Sequence, residues 1–455
     1  MNNFFWSIII FMLLVFMAYR YTKSKKPINT HCGSIGKENI FDNFIFSLLE
    51  IILFIPRLII NIFKPKKNYI LPEDVNNDGK LKVAFIGNYG TSCGISTYNE
   101  ALLSELRYHV DVKVFAEYFD SSKLQRMPDD PSWVLRCWSR DEHPKTDLIE
   151  YVSNWNPDII HFSHEYGIWY KAYFLTQIIS VFRQRGFKVV STMHSVYDHM
   201  DKLASESAVP YLIVHTEQAK VTLIKKGIEQ DRITVIPHGT KIYKGTGDSP
   251  NLIEPLWNTW QSEHTIYQPG FLFGYKGHLR MLKVVSELKK KYPDIHYIIQ
   301  GSENKLNMDE HDQLYNQIVS ECEKLNITEN VTINRGFVSE HILLSTIRTV
   351  KLCVLPYNNH PDHDVRASSG AARTIIPTST PMVVSGVHLF DDLEGIVPRA
   401  RDESELYFYI DDIFNNYHFN VEKQLTKRIE FLRKTSWESV AYRLFVFYSN
   451  LKNEE

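Results

Sequence analysis

The sequence predicts an α/β fold of two domains, each a parallel sheet layered with helices, preceded by apolar attachment helices. Three observations carry that expectation. From about residue 81 onward, short continuous apolar runs bounded by turn residues alternate with amphipathic stretches, the pattern of strands buried on both faces. Several of those runs end in histidine, acidic or small residues, and in an open α/β sheet the strand ends are where ligands sit. Ahead of them, within the first 67 residues, lie two strongly apolar stretches. At 455 residues the chain has room for two domains of about 150 to 200 residues plus extra segments. It divides into an anchor (1–26), a membrane-associated segment and linker (27–80), two α/β domains (81–244 and 245–421) and a closing helix (422–455).

The first nineteen residues carry no charged side chain, and Phe4 to Tyr19 is apolar apart from Ser7 and the Tyr19 hydroxyl. That length is near the lower limit for crossing a hydrocarbon core of about 30 Å. No basic residue precedes the run and no small-residue cleavage site follows it, so an anchor fits better than a cleaved signal peptide. Arg20, Lys23, Lys25 and Lys26 come next, and the positive-inside rule then places the remainder in the cytosol. From Phe41 to Lys67 the polar residues Asp42, Asn43, Ser47, Glu50, Arg57, Asn61 and Lys64 share one arc of about 140° at roughly 100° per residue. Such a one-sided helix either lies in the membrane interface, with Lys64, Lys66 and Lys67 toward anionic headgroups, or packs on the domain that follows; Pro56 bends it. Residues 71–79, LPEDVNNDG, read as a linker.

The first domain opens with KVAFIGNYGTSCGISTYNEALLSEL from Lys82: a buried strand, a glycine-containing turn and an amphipathic helix. Gly87, Gly90 and Gly94 are spaced G-x-x-G-x-x-x-G, which is not the dinucleotide fingerprint G-x-G-x-x-G. PDIIHFSHEYGIW from Pro157 and KVVSTMHSVYDHM from Lys188 are strands ending at His164–Glu165 and His194, and RITVIPHGT from Arg232 runs into a turn at His238. GTGDSPN from Gly245 reads as the crossing into the second domain. There YQPGFLFGYKGHLRMLKVVSEL from Tyr267 gives a strand, a loop with Gly270, Lys276 and Gly277, then a helix, and the loop lysine is placed to meet phosphate as a point charge. HYIIQGSEN, NVTINRGF and KLCVLPY read as further parallel strands. In RASSGAARTIIPTSTPMVVS, residues 366–385, Ser368, Ser369 and Gly370 start a helix whose free N–H groups and dipole favour an anion, flanked by Arg366 and Arg373. Pro377 ends it and PMVVS is the next buried strand. Taken alone, the same stretch is also open to a plainer reading, a capped helix with two surface arginines.

Composition narrows the function. With 44% hydrophobic and 23% charged residues the chain is an ordinary globular one, and a net charge of -2 argues against a large nucleic-acid surface, so phosphate binding falls to local positive charge. The five cysteines are scattered and odd in number, without C-x-x-C spacing, which suits a reducing compartment and no structural zinc. Cys93 in the glycine loop is either a reactive thiol or a small loop residue. Asn326 and Asn330 head N-x-T sequons that matter only outside the cytosol.

In their order, GISTYNEALLSEL, HEYGIW, TMHS, VIPHG, YKG, VLPY, SSGAAR and TPMVVSG resemble the family 4 retaining glycosyltransferases over roughly residues 81–445. That family has the GT-B architecture, two Rossmann-like domains facing each other across a cleft, with a terminal helix that returns to the first domain. The resemblance implies sugar transfer from a nucleotide-diphosphate sugar to a sugar, lipid-linked or protein acceptor. It also implies retention of anomeric configuration, with no metal and no further cofactor. The leaving diphosphate gathers negative charge that fixed cations and backbone donors stabilise. Lys276, Arg366, Arg373 and the N–H groups of Ser369 and Gly370 are the candidates for that task. Gly270, Gly277, Ser368, Tyr357, His238 and Glu340 complete the expected donor site, with Tyr357 and Glu340 at the base or ribose. His194 stands where the family often has a histidine near the donor sugar and joins Lys276 and Arg373 as a catalytic candidate; its plain alternative is a buried histidine satisfied by backbone. Gly90, Thr91 and Gly94 admit substrate to the loop, and His164 and Glu165 are candidates for contacting the acceptor or for its base.

Two departures bear on the chemistry. Many members carry two glutamates eight positions apart, where this chain has Arg366 and Thr374, so donor-sugar recognition falls to other groups, Asp362, Asp364 and the serines among them. The family's frequent arginine five residues before the loop lysine is Phe271 here, a charge left to Arg366 or Arg373. The missing glutamates leave open a non-catalytic, membrane-tethered scaffold or partner subunit. A Rossmann-fold oxidoreductase is opposed by the lack of G-x-G-x-x-G with an acidic residue about twenty positions on. HPDHD from His360 is either a metal site or a polar loop at the donor sugar.

Overall fold

A computed structural model describes residues 79–454 apart from 92, 120–122, 142–144, 170–171, 199–207, 243–262, 303–307, 337 and 359–364. Both apolar N-terminal segments, the Gly245 crossing and Asp362 and Asp364 lie outside the described residues. Among the described residues no helix is long and apolar enough to cross a membrane.

Residues 66–455 belong to one compact unit. Its first sheet is built from β1 (Lys82–Gly87), β2 (Asp111–Glu117), β3 (Val134–Trp138), β4 (Ile159–His164), β5 (Lys188–Met193), β7 (Tyr211–Val214) and β8 (Ile233–Val235), with a separate short strand β6 (Ser195–Tyr197). Helices α1 (Gly94–Leu106), α2 (Thr146–Trp155), α3 (Ala172–Gln184) and α4 (Glu217–Lys225) connect them. The strands run parallel in the order β3-β2-β1-β4-β5-β7-β8. Because helices cover both faces, every residue of IIHFSH in β4 is buried, the histidines included. The order reverses between β1 and β4, and at such a switch point the connecting loops part and leave a crevice at the carboxyl ends of the strands.

The second sheet repeats the winding. Strands β9 (Thr265–Phe271), β10 (His296–Ser302), β11 (Val331–Asn334), β12 (Leu352–Leu355), β14 (Met382–Ser385) and β15 (Arg399–Ala400) lie parallel in the order β11-β10-β9-β12-β14-β15, with the switch between β9 and β12. Helices α5 (His278–Lys289), α6 (Met308–Lys324), α7 (Glu340–Thr349), α8 (Gly370–Ile375) and α9 (Glu403–Asn415) accompany it. Pro377 does close α8, and Met382–Ser385 is the buried strand expected from PMVVS.

Two features that the apolar pattern did not show tie the halves together. Strand β13 (Val365–Ala367), between β12 and α8, pairs antiparallel with β6 of the first domain, Arg366 opposite Val196. The closing segment, expected as one helix from Glu422, is two: α10 (Tyr417–Thr435) and α11 (Trp437–Asn453). They break because the Thr435 carbonyl accepts from the Thr240 amide at 2.6 Å. Ser436 then turns out of the helix and caps α11, its Oγ accepting from the Ser439 amide at 3.1 Å. Val440, Ala441, Leu444 and Tyr448 of α11 join Leu102, Leu103 and Leu106 of α1 in one apolar cluster on the first sheet.

Candidate functional site

Lys276 ends a single 3₁₀ turn, Gly274–Lys276, that follows β9 at the second switch point. Its ammonium is buried and donates to the Tyr357 hydroxyl at 2.6 Å, lying 4.0 Å from the Tyr357 ring and 4.9 Å from the Tyr275 ring. Burial penalises the charged form and pulls the amine down to about 7. Gly277 is required by space: its φ is +75° and a Cβ there would sit 1.9 Å from the Pro356 carbonyl oxygen. Gly270 faces the same group, since a Cβ on it would stand 3.9 Å from Lys276 Nζ. His278, next in chain, is buried with neither ring nitrogen hydrogen-bonded, and burial together with Lys276 lowers it to about 3.

The start of α8 adjoins this lysine. Ser369 caps the helix, its Oγ accepting from the Ala372 amide at 3.3 Å, and its side chain is near enough to the Tyr357 phenol to oppose the rise that burial gives it, so Lys276, Tyr357 and Ser369 are neighbours. Gly370 begins the helix and Thr374 bonds back to the Gly370 carbonyl. The plainer reading of two surface arginines is overturned. Arg373 is buried, paired with Asp392, which also accepts from Ser368 Oγ at 2.8 Å. The Arg373 guanidinium stacks 4.6 Å from the Phe431 ring, while its Nη1 has no hydrogen-bond partner. Arg366 lies in β13, its side chain 13% exposed and 3.4 Å from Asp198 of the first domain. Glu340 is exposed in the first turn of α7 and bridges to Lys241 at 2.8 Å.

In the first domain the glycine loop is held from below. The Gly90 amide donates to Glu100 Oε1 at 3.0 Å, the Thr91 amide to Ser96 Oγ at 2.9 Å, and Gly94 opens α1. Arg136, buried in a pair with Asp130 at 2.7 Å, donates to the Tyr89 carbonyl at 3.1 Å. His164 is fully buried with both ring nitrogens unpartnered, and burial lowers it to about 3. Glu165 accepts from Ser195 Oγ at 2.7 Å and from the Tyr166 amide at 3.0 Å, and burial raises its carboxyl. Since Ser195 belongs to β6, Glu165 is fastened to the strand that meets β13.

His194 and His238 come together, with a third histidine that was not foreseen. His215, just past β7, lies with its ring centroid 5.3 Å from that of His194 and 5.5 Å from that of His238, and Tyr98 of α1 packs edge-on to His194 at 4.6 Å. The plain reading of His194 as satisfied by backbone does not hold: its ring bonds Ser163 Oγ at 2.9 Å and His215 at 3.3 Å. His238 donates from Nδ1 to the Gly239 carbonyl at 2.7 Å. Burial depresses all three, and the Arg373 charge lowers His215 and His238 further, so the arginine of the second domain acts on the histidines of the first. YLIVH ends a strand in histidine just as STMH does, a signal that points to His215 as well; nothing local marks Ser163 or Asp392. Among the described residues no group of three or more metal-ligating side chains is placed to hold an ion.

Known proteins resemble the chain in sequence and in fold. Residues 93–242 match the family Glycosyltransferase Family 4. An uncharacterized glycosyltransferase of Bacillus subtilis strain 168, YqgM, is 22% identical over 226 residues, 46% of this chain and 55% of that one, so the chain spans about half the length of this curated relative. A glycosyltransferase from Rickettsia africae ESF-5 superposes with a TM-score of 0.62 at 14% identity, over 83% of this chain and 100% of that one. HepE of Anabaena, in complex with UDP and glucose, does so with a TM-score of 0.61 at 12% identity, over 81% of this chain and 100% of its own. With the doubly wound pair of sheets described above, these findings give the chain the GT-B fold and support a likeness to the family 4 glycosyltransferases.

Proposed function

We propose that the protein transfers a sugar from a nucleotide-diphosphate sugar to an acceptor, with the anomeric configuration retained. The observation that carries this reading is the convergence of three second-domain elements at one switch point: Lys276 after β9, Tyr357 after β12 and Ser369 at the start of α8, with the unpartnered Nη1 of buried Arg373 on the same helix. A diphosphate gives Lys276 the counter-charge it lacks and adds to the one Asp392 gives Arg373, and its charge grows as the sugar leaves, which is when fixed cations contribute most to rate. In this reading Arg373 supplies the charge absent at Phe271. Gly270 and Gly277 let the phosphates approach, and Ser368, Arg366 and Glu340 line the outer donor site. His194 and His238 face the reacting sugar, while Gly90, Thr91, Gly94, His164 and Glu165 lie on the acceptor side. The complex of HepE with UDP and glucose makes UDP-sugars the first donors to try.

Attachment to the membrane through residues 1–67, with the two domains in the cytosol, belongs to the same proposal and rests on the apolar runs and the basic cluster after the first of them. A lipid-linked acceptor fits that placement. The test is a panel of nucleotide sugars read by thermal stabilisation and then by NMR of the product's anomeric centre, repeated in EDTA. A retained configuration and unchanged rate in EDTA are expected. If no nucleotide sugar stabilises or reacts, the scaffold reading replaces this one.

A further inference from the structure

A buried hydrogen-bond chain runs through the first domain behind His194. Asn99 donates from Nδ2 to the Asn88 carbonyl at 2.8 Å, which fixes its Oδ1 as an acceptor, and Ser163 Oγ donates to that oxygen at 2.8 Å. Ser163 Oγ also lies 2.9 Å from His194 Nε2; His194 Nδ1 lies 3.3 Å from His215 Nε2; and His215 Nδ1 lies 3.0 Å from the Ile236 carbonyl oxygen. Both ends of the chain are oxygens that only accept. Between them are four hydrogen-bond positions, but a hydroxyl and two neutral imidazoles supply one hydrogen each, three in all. The chain is one hydrogen short. The shortage falls at the longest position, the 3.3 Å between the two imidazoles, where two lone pairs then face each other.

We propose that Asn99, Ser163 and His215 are positioning residues that hold His194 with Nε2–H on Ser163 and its Nδ1 lone pair toward His215, so that the two rings form a seat for one shared proton in the wall of the candidate site. One added proton completes every bond of the chain. Opposing it are burial and the basic groups that face the pair from neighbouring elements, His161 and His164 of β4, His238 after β8 and Arg373 of α8, while Tyr98 of α1 packs edge-on to His194 as a neutral ring. Negative charge entering beside Arg373 reduces that opposition, and two groups this close take up the proton as a pair. Use of the seat in sugar transfer rests on the function proposed above; the seat itself does not.

The test reads imidazole ¹⁵N shifts of the histidine-labelled full chain, with signals assigned by His194→Gln and His215→Gln. In the wild type at neutral pH His215 is expected as the Nδ1–H tautomer and His194 as Nε2–H. In Ser163→Ala two positions remain for two hydrogens, and in Asn99→Ala the serine hydroxyl is released toward His194, leaving three for three. Either variant therefore flips His194 to Nδ1–H, and one folded variant suffices. On acidification the wild-type rings shift together as one step, at higher pH than in the variants. His194 already Nδ1–H in the wild type, an unchanged tautomer in both variants, or separate steps for the two rings overturns the proposal. Failure of UDP to bind bears only on the donor reading, since the tautomers are read without ligand.

Discussion

Lys276 and Arg373 differ in how they are held, and that difference sets what their loss does. Arg373 is partly neutralised by Asp392, whereas Lys276 has a phenol and two aromatic rings as its surroundings. Lys276→Ala and Arg373→Ala are each expected to weaken UDP binding at least about tenfold by calorimetry, because each removes a cation from a site shielded from water. Wild-type affinity in both would remove the phosphate site from this place. The double variant is expected to lose less than the product of the singles, as two cations serve one group. Lys276 also predicts pH effects of known sign. Burial pulls its amine down to about 7 from the ordinary lysine value of 10.5, so the folded protein binds fewer protons than the unfolded chain between those values. Its contribution to stability is therefore most unfavourable below pH 7, where both states are charged, and improves as pH rises from 7 toward 10.5. Phosphate favours the ammonium, so UDP affinity should fall as pH rises above about 7, by up to tenfold per unit, and Lys276→Ala should abolish that slope. The position of Lys276 was legible in sequence because a strand, a glycine loop and a helix start adjoin it. The burial of Arg373 was not, because its partner Asp392 is nineteen residues away on an unrelated turn.

At the scale of elements, the long apolar runs were readable and the three-residue strands were not. KVAFIG or KVVSTM announces itself as a continuous apolar run, while SVY and VRA pair across the domains as three-residue backbone ladders, and backbone pairing leaves no residue pattern. The break between α10 and α11 was hidden for the same reason: the partner of the Thr435 carbonyl is Thr240, far away in sequence. That junction is tight. A Cβ on Gly239 would stand 2.1 Å from the Trp437 ring, and the same ring packs on Tyr98 at 5.0 Å, which in turn touches His194. Gly239→Ala is therefore expected to cost about 1–3 kcal/mol in urea unfolding, as overpacked sites do, and to perturb the His194 signals. An unchanged midpoint and unchanged histidine shifts would show that the two helices and the VIPHG turn are not coupled as described.

For the molecule as a whole, the proposed attachment to a membrane has the largest physical consequence. On the first sheet, α1 and α11 gather Leu102, Leu103, Leu106, Val440, Ala441, Leu444 and Tyr448 into one apolar cluster of residues that all follow position 80. Removing residues 1–72 should therefore release a soluble, folded protein, and its unfolding should remain cooperative. Removing only residues 1–26 should leave part of the protein on membranes if the segment from Phe41 to Lys67 forms the one-sided helix expected from its sequence, beside Lys64, Lys66 and Lys67. High salt should weaken that residual attachment by screening the lysines without abolishing it, since apolar insertion does not depend on charge. Fractionation of the two truncated proteins checks both expectations together. If the chain lacking 1–26 is entirely soluble and monomeric, the segment covers protein surface instead of lipid, and the chain lacking 1–72 should then aggregate through the apolar area it leaves bare.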